Sequence, residues 1–281
     1  MRQAAGAQAI ALTIAGSDSS GGAGIQADLK TFTALGVYGA SVITAITAQN
    51  TRGVTGVEAI KPELVVAQLD AVLCDLEVGA IKTGMLANGA IVSAVAATLR
   101  GARGVPRPPL IVDPVMVATS GDLLLANDAV SAIRTELAPL ATLLTPNLVE
   151  AARLLEAEMA TSEAAAAVQA QALNARLGCP ILLKGGHASG AAAVDLFYDG
   201  AELVRFARPR LDTPNTHGTG CVLAAAATAL LARGIGLRQA IAGAKAFVWQ
   251  GLEAGRNLGI GQGRGPVDCL FGIRRAPLPI P

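Results

Sequence analysis

The chain is poor in nearly everything that marks a nucleic-acid, metal or membrane protein. Its 281 residues include 1 Trp, 2 Tyr and 5 Phe, too few aromatics for base-stacking platforms. Lys and Arg number 22 against 21 Asp and Glu, and no basic run stands out, so a polyanionic partner is not expected. There are 2 histidines, His187 and His217, and 4 cysteines, Cys74, Cys179, Cys221 and Cys269, with no C-x-x-C spacing. That set argues against structural zinc, and at this length a disulfide scaffold is not expected. Free thiols fit a reducing compartment. The longest apolar run, Val222 to Ala232, is mostly alanine and too short to span a bilayer. Met1–Gln8 carries a single basic residue and flows into a strand-like segment, unlike a signal peptide. These absences predict a cytoplasmic protein with neither nucleic acid nor membrane as partner. No G-x-x-x-x-G-K-[ST] is present, so any kinase here is not of the P-loop type.

What is present is apolar and periodic. Hydrophobic residues make up 52% and charged residues 15%, enough to bury a large core. Strand-length apolar runs at 9–15, 41–48, 80–83, 110–113, 142–145 and 180–184 alternate with helical patterns. The helical patterns follow the first glycine-rich turn and fall at 62–73, 90–99, 129–137, 148–156, 164–177, 223–233 and 238–253. Segments 194–198 and 203–206 read as a hairpin around Asp199-Gly200. Near-continuous apolar strands separated by helices predict an α/β fold with a mostly parallel sheet covered on both faces. Residues 101–109 read as a surface loop and not a boundary, so 1–281 is expected to be a single domain. In such sheets ligands collect at the C-terminal strand ends.

The chemistry-bearing residues do fall there. The turn Gly16-Ser-Asp-Ser-Ser-Gly-Gly-Ala-Gly24 follows the first strand. The turn Asn215-Thr-His-Gly-Thr-Gly-Cys221 opens an alanine-rich helix. Gly218 and Gly220 allow close backbone approach, and the free N–H groups and positive dipole end of the helix suit an anion such as phosphate. At that helix mouth the Cys221 thiol is expected to be acidified and the most reactive of the cysteines. Cys74 and Cys179, in or beside packed elements, are expected to be inert. Asp113 ends the strand Leu-Ile-Val-Asp and can hold Mg²⁺ directly or through water. Asn147 and Glu150 open the next helix, either as a plain cap with a first-turn acid or as groups facing metal-bound water. Lys184 ends an apolar strand before Gly185-Gly186, either snorkelling at the sheet edge or meeting phosphate. His187 and His217 lack a ligand partner at metal spacing and read as local hydrogen-bonding residues.

Several stretches together carry a resemblance. They are the 11–31 segment with its Gly-Ser-Asp-Ser-Ser-Gly-Gly-Ala-Gly turn, Val42–Gly53, Ile81–Leu86, Val112–Met116, Thr145–Asn147, Leu183–His187 and Asn215–Cys221. In order, and from about residue 10 to about residue 270, they resemble the hydroxymethylpyrimidine/phosphomethylpyrimidine kinases of the ribokinase-like superfamily. The resemblance implies a three-layer α/β/α sandwich without a separate lid domain, ATP as co-substrate, Mg²⁺, and a homodimer. It implies that hydroxymethylpyrimidine and its monophosphate are phosphorylated for thiamine synthesis. The pyrimidine would contact Gly16, Asp28 and Gln49 and lie against Met85 and Val115. ATP and phosphate would meet Lys184, Asn147, Thr219 and Gly220, with Asp113 and Glu150 on the metal. Gly218, Gly220, Lys184 and Cys221 would form the catalytic group, Cys221 being either the proton acceptor or merely a liner of the anion hole. On their own, Gln49 reads equally as a water-facing strand end and Met85 as core filler. Many ribokinase-like enzymes carry an aspartate where Cys221 stands, whereas the pyrimidine kinases resemble this chain in having cysteine. Pyridoxal kinase is the near rival. A dehydrogenase would need a G-x-G-x-x-G that the first turn lacks. A non-catalytic binding protein would have no use for Asp113, Lys184 and Cys221 together.

Overall fold

Residues 8–101, 107–116, 127–186 and 190–273 are described by a computed structural model of the chain. His187 and part of the expected 101–109 loop lie outside them. Six strands run parallel: β1 (Ile10–Ala15), β2 (Tyr38–Ile43), β5 (Ala80–Thr83), β6 (Leu110–Val112), β7 (Leu143–Leu144) and β8 (Ile181–Lys184). Except in the edge strand β2, their residues are mostly apolar and buried, because helices cover both faces and leave no wet side. The hairpin β9 (Ala192–Tyr198) and β10 (Leu203–Pro209) adds antiparallel strands at one edge. The order across the sheet is β10-β9-β8-β7-β6-β5-β1-β2.

The layers follow from which side chains each strand sends to each face. Leu12, Ile14, Leu110, Val112, Leu183 and Leu196 pack into one core. It is covered by α2 (Pro62–Leu73), α3 (Gly89–Gly101), α4 (Asn127–Ala132), α5 (Leu148–Leu155) and α6 (Glu163–Leu177). Ile111, Leu143, Leu182 and Phe197 point the other way. There they meet α7 (Thr219–Ala232) and α8 (Leu237–Ala254), while Ala11 faces α1 (Gly24–Ala34). The alanines of α7 are nearly all buried, which lets this helix lie close to the sheet between α1 and α8.

Two stretches depart from the sequence expectation. The run Ser41–Ala48 is not one strand. At Thr44 the chain leaves the sheet: its N–H donates to Ala15 O at 3.1 Å and its hydroxyl to Met85 O at 2.6 Å. Ala45–Asn50 then forms β3, which pairs with β4 (Gly53–Ala59) in a separate two-stranded ribbon. The β-branched residues 42–47 favour extended backbone on both sides of the break, so local propensity cannot show it. Tertiary hydrogen bonds decide it. The second departure is at the end of α4, where Ile133–Leu137 widens to a π turn and Ala138–Leu140 tightens to a 3₁₀ turn. No separate lid domain is present among the described residues. Among the described residues only the β3–β4 ribbon stands apart from the main sheet.

Candidate active site

All the singled-out turns lie at the C-terminal ends of the parallel strands. The first, after β1, is built around Asp18. Its Oδ1 accepts from the Ser20 N–H and hydroxyl at 2.8 and 2.7 Å, and its Oδ2 from Ala23 N at 2.8 Å and Gly22 N at 3.1 Å. His217 Nε2 lies 2.7 Å from the same Oδ2, across 199 residues of sequence. Burial alone would raise the Asp18 pKa, but hydrogen bonds from His217 and Ser20 and the His217 charge outweigh it and hold the carboxyl at about 2. The ribbon closes over this turn. Ser17 N donates to Ala45 O at 2.9 Å, and the Ser19 hydroxyl bridges Gln49 O and Gln49 N, both at 2.8 Å.

The second turn ends on Gly218, which caps α7 with φ 79°. That left-handed backbone suits glycine, and a Cβ there would collide with the Gly22 carbonyl of the first turn. The two glycine-rich turns therefore touch. A C-terminal segment braces the second: His217 N donates to Gly265 O at 3.0 Å, Val267 N to His217 O at 3.2 Å, and the buried Asn215 amide to Gly255 O at 2.6 Å. Thr219 N is bonded to Thr216 O at 3.3 Å, and the Thr219 hydroxyl to the same oxygen at 2.6 Å. The following amides, Gly220 and Cys221, belong to the first turn of α7, where a helix cannot satisfy its own N–H groups.

Facing that turn is a cluster of charges. Lys184 Nζ donates to Asp113 Oδ1 at 2.7 Å, and the Thr145 hydroxyl to the same oxygen at 3.1 Å. Asp113 Oδ2 is buried and has no hydrogen-bond partner. A Cβ on Gly220 would fall 3.1 Å from Lys184 Nζ and 3.8 Å from Asp113 Oδ2, so glycine leaves open the gap between lysine, carboxylate and helix mouth. Burial works against the Lys184 charge, but Asp113 and Glu150 hold its pKa above the ordinary lysine value. Asn147 and Glu150 form a reciprocal cap on α5, with Glu150 N on Asn147 Oδ1 at 2.9 Å and Asn147 N on Glu150 Oε2 at 2.8 Å. Glu150 caps the helix, and its charge is felt by Lys184 and Asp113. Burial and the Asp113 charge push it up to about 7 against Lys184 and the Asn147 and Met116 amides.

Two expectations fail at this site. Asp28 does not line an acceptor pocket. It is fully buried under the turns, where Lys82 Nζ binds its two oxygens at 2.8 and 2.7 Å and the Thr13 hydroxyl binds Oδ2 at 2.6 Å. Three hydrogen bonds from protein groups hold the carboxylate, and none of its surface is exposed. Burial pulls the Lys82 pKa down, yet Asp28, Cys221 and Asp113 together hold it above its ordinary value, while burial raises the Asp28 pKa against the Lys82 charge and the hydrogen bonds from Lys82 and Thr13. Nor is Cys221 acidified. Although part of its surface reaches solvent, burial pushes the thiol up to about 11; Lys82 and the Gly24 N–H oppose this, while Asp28 and Asp113 reinforce it. Of the two cysteines expected to be inert, one is exposed and one is buried. Cys74 sits exposed at the end of α2, whereas Cys179 is buried and pushed up to about 12.

Of the remaining residues, Gly16 and Met85 meet. Gly16 N donates to Met85 O at 3.0 Å, which puts the first turn against the Met85 segment. Met85 is buried, and Val115 and Gln49 are partly exposed. The sequence reading passed over Asp18 and Lys82. Asp18 had a signal in its Asp-Ser-Ser-Gly-Gly context, the pattern of a side chain that bonds its own turn. Lys82, a lysine inside an apolar strand, carried the same signal that marked Lys184.

Comparison with known proteins agrees with this geometry. The profile of the phosphomethylpyrimidine kinase family matches residues 18–268. A hydroxymethylpyrimidine/phosphomethylpyrimidine kinase of Rhizobium meliloti is 57% identical over 261 residues, 92% of this chain and 96% of that protein. Among solved structures, a Bacillus subtilis pyridoxal kinase in its ADP complex superposes with TM-score 0.86 at 36% identity, covering 96% of this chain and all of that one. A phosphomethylpyrimidine kinase of Clostridium difficile superposes with TM-score 0.75 at 38% identity, covering 86% of this chain and 99% of that one. With its sequence matched over most of its length and its turns assembled around one cluster, this chain belongs to the phosphomethylpyrimidine kinase family.

Proposed function

We propose that this chain transfers the γ-phosphoryl group of ATP to 4-amino-5-hydroxymethyl-2-methylpyrimidine, and then to its monophosphate, to make the diphosphate used in thiamine synthesis. One observation carries the reading. Asp113, Lys184 and the open first turn of α7 converge on the gap that Gly220 leaves, with Lys184 Nζ 2.7 Å from Asp113 Oδ1. A cation, a carboxylate with a free buried oxygen and unsatisfied amides are the parts that phosphoryl transfer needs.

The acceptor would lie between the first turn, Gln49, Met85 and Val115. The Gln49 amide offers one donor and one acceptor to an aminopyrimidine edge. Lys184, protonated at neutral pH, would bind phosphate oxygens with Asn147, Thr219 and Gly220 alongside. The Gly220 and Cys221 amides would face the transferring group. A thiol pushed up to about 11 is protonated at neutral pH, so Cys221 lines this anion hole and does not act as base. In a loose transition state the hydroxyl proton leaves late, to a phosphoryl oxygen. The monophosphate, largely dianionic near neutral pH, attacks through an oxygen that needs no base. Most of the acceleration would come from positioning and charge.

Mg²⁺ fits the residues present. Asp113 Oδ2 is a buried acceptor without a partner, and Glu150 shares its surroundings. Among the described residues no three His, Cys, Asp or Glu side chains form a cage, in keeping with an ion completed by water and nucleotide phosphates. Asp113 would hold it, with Glu150 acting through bound water, and it would offset charge on the phosphates.

We further read residues 1–281 as one catalytic domain, supported by the single eight-stranded sheet that gathers the site. A homodimer is supported by apolar side chains exposed on the sheet edge and ribbon: Tyr38, Ile46 and Val57. No helix of the described residues is long and apolar enough to cross a membrane, which agrees with a cytoplasmic place. A second reading, phosphorylation of pyridoxal, is favoured by the likeness to the Bacillus subtilis pyridoxal kinase. Phosphorus NMR of the protein with MgATP and the pyrimidine alcohol tests the proposal. The monophosphate should appear and then give way to the diphosphate. If ATP is consumed without either ester forming, the proposal is wrong.

A further inference from the structure

Outside the charge cluster, the tip of the β3–β4 ribbon and the C-terminal segment line an open-sided cavity of about 350 Å³. Gln49, Asn50, Arg52, His217 and Arg264 line it. It is therefore continuous with the proposed ring-reading amide on one side and the phosphate turn on the other. Its walls are tied in place. Arg264 N donates to Thr51 O at 2.9 Å, Gly263 N to the Thr51 hydroxyl at 3.1 Å, and Arg52 N to Asn50 Oδ1 at 2.8 Å. These bonds fix two arginine backbones next to each other, although they are separated by over two hundred residues of sequence.

The charges in this cavity are unbalanced. Arg52 and Arg264 are both exposed, and neither makes an ion pair among the described residues. The cavity lining contains no Asp or Glu. Two guanidinium groups held on one small concavity repel each other, and an anion relieves that repulsion. Guanidinium is also the side chain whose planar donors match phosphate oxygens in pairs.

We propose that Arg52 and Arg264 form a subsite for the phosphate of a phosphate-monoester acceptor. This rests on the acceptor assignment made above and adds to it a specificity device. The alcohol carries no charge for these arginines to read. The monophosphate carries about two negative charges and must approach an equally anionic nucleotide. Lys184 is committed to Asp113 and the nucleotide side, so the second phosphorylation needs cations elsewhere, and this cavity holds the unpaired ones that adjoin Gln49.

The test uses the full chain, with Arg52→Gln, Arg264→Gln and the double variant. Steady-state KM is measured for the pyrimidine alcohol, its monophosphate and ATP. Because charge-assisted hydrogen bonds are at stake, the ratio of the monophosphate KM to the alcohol KM should rise about tenfold or more in the double variant. A thermal-shift titration without ATP gives a second reading that needs no turnover. The monophosphate should raise the melting temperature of the unaltered chain and raise that of the double variant less. Since both side chains are on the surface, the variants should melt at the parent temperature without ligand. An unchanged KM ratio overturns the proposal, and so does a rise confined to the ATP KM, which would give the arginines to the nucleotide. If the unaltered chain turns over neither pyrimidine, the acceptor assignment has failed instead.

Discussion

At the scale of single residues, the outcome turns on which groups the fold leaves free. Gln49 keeps its side-chain amide near the proposed acceptor, with only a 3.3 Å contact from the Thr47 hydroxyl to its oxygen. Removing a hydrogen bond to a polar ligand group costs about 1–3 kcal/mol. Gln49→Ala should therefore raise the pyrimidine KM by roughly tenfold or more and leave the ATP KM alone. Equal shifts in both constants would remove Gln49 from the acceptor side. Cys221 gives the opposite kind of prediction. Loss of a true general base costs about a hundredfold or more. With a thiol protonated at neutral pH, Cys221→Ser should lower kcat by less than about tenfold. A loss of several hundredfold would restore the base role that the sequence suggested. The sequence placed Asp113, Glu150, Lys184 and the Gly218–Cys221 turn in one site, because each ends a strand or opens a helix. It misjudged Asp28 and the state of Cys221, because burial and the buried Lys82 are set by strands distant in sequence.

At the scale of elements, the contact between the two glycine-rich turns is the feature that joins the proposed acceptor and phosphate sides. Asp18 and His217 bridge them at 2.7 Å, and Gly218 rests on the Gly22 carbonyl. The Asp18 pKa of about 2 lies below its ordinary 3.8, so its carboxylate contributes stability above about pH 4, and that contribution is lost as pH falls toward 2. The shift corresponds to about 2 kcal/mol. Urea unfolding of the protein and of Asp18→Asn should show a gap near that size at pH 6, narrowing as pH falls through 4 toward 2. A gap that does not change with pH would mean that the bridge contributes nothing through charge. Most elements were legible beforehand, since β1, α2, β5, α3, β8 and both C-terminal helices follow from apolar period and caps. The break at Thr44 was not, because nothing local to that β-branched run ends it. The ribbon β3–β4 was missed with it, and so was the way Ser19 and Gln49 close the first turn.

At the scale of the whole molecule, the parallel order of the sheet and its cover of helices were legible in the alternation of apolar runs. The surface proposed to pair copies was not, because exposure is a property of the assembled fold. Tyr38 is 57% exposed, Ile46 47% and Val57 44%, all along the β2 edge and the ribbon. If they meet a second copy, sedimentation should give a dimer, and Ile46→Glu should shift it to monomer. A monomeric parent protein would refute the pairing. The central claim is that one site reads an aminopyrimidine and phosphorylates it twice. It is tested most directly by ADP release at saturating MgATP, compared in kcat/KM across the pyrimidine alcohol, its monophosphate and pyridoxal. The account predicts turnover with both pyrimidines, each preferred to pyridoxal, and no turnover when Lys184 is replaced by Ala. Preference for pyridoxal, or turnover of neither pyrimidine, would contradict it.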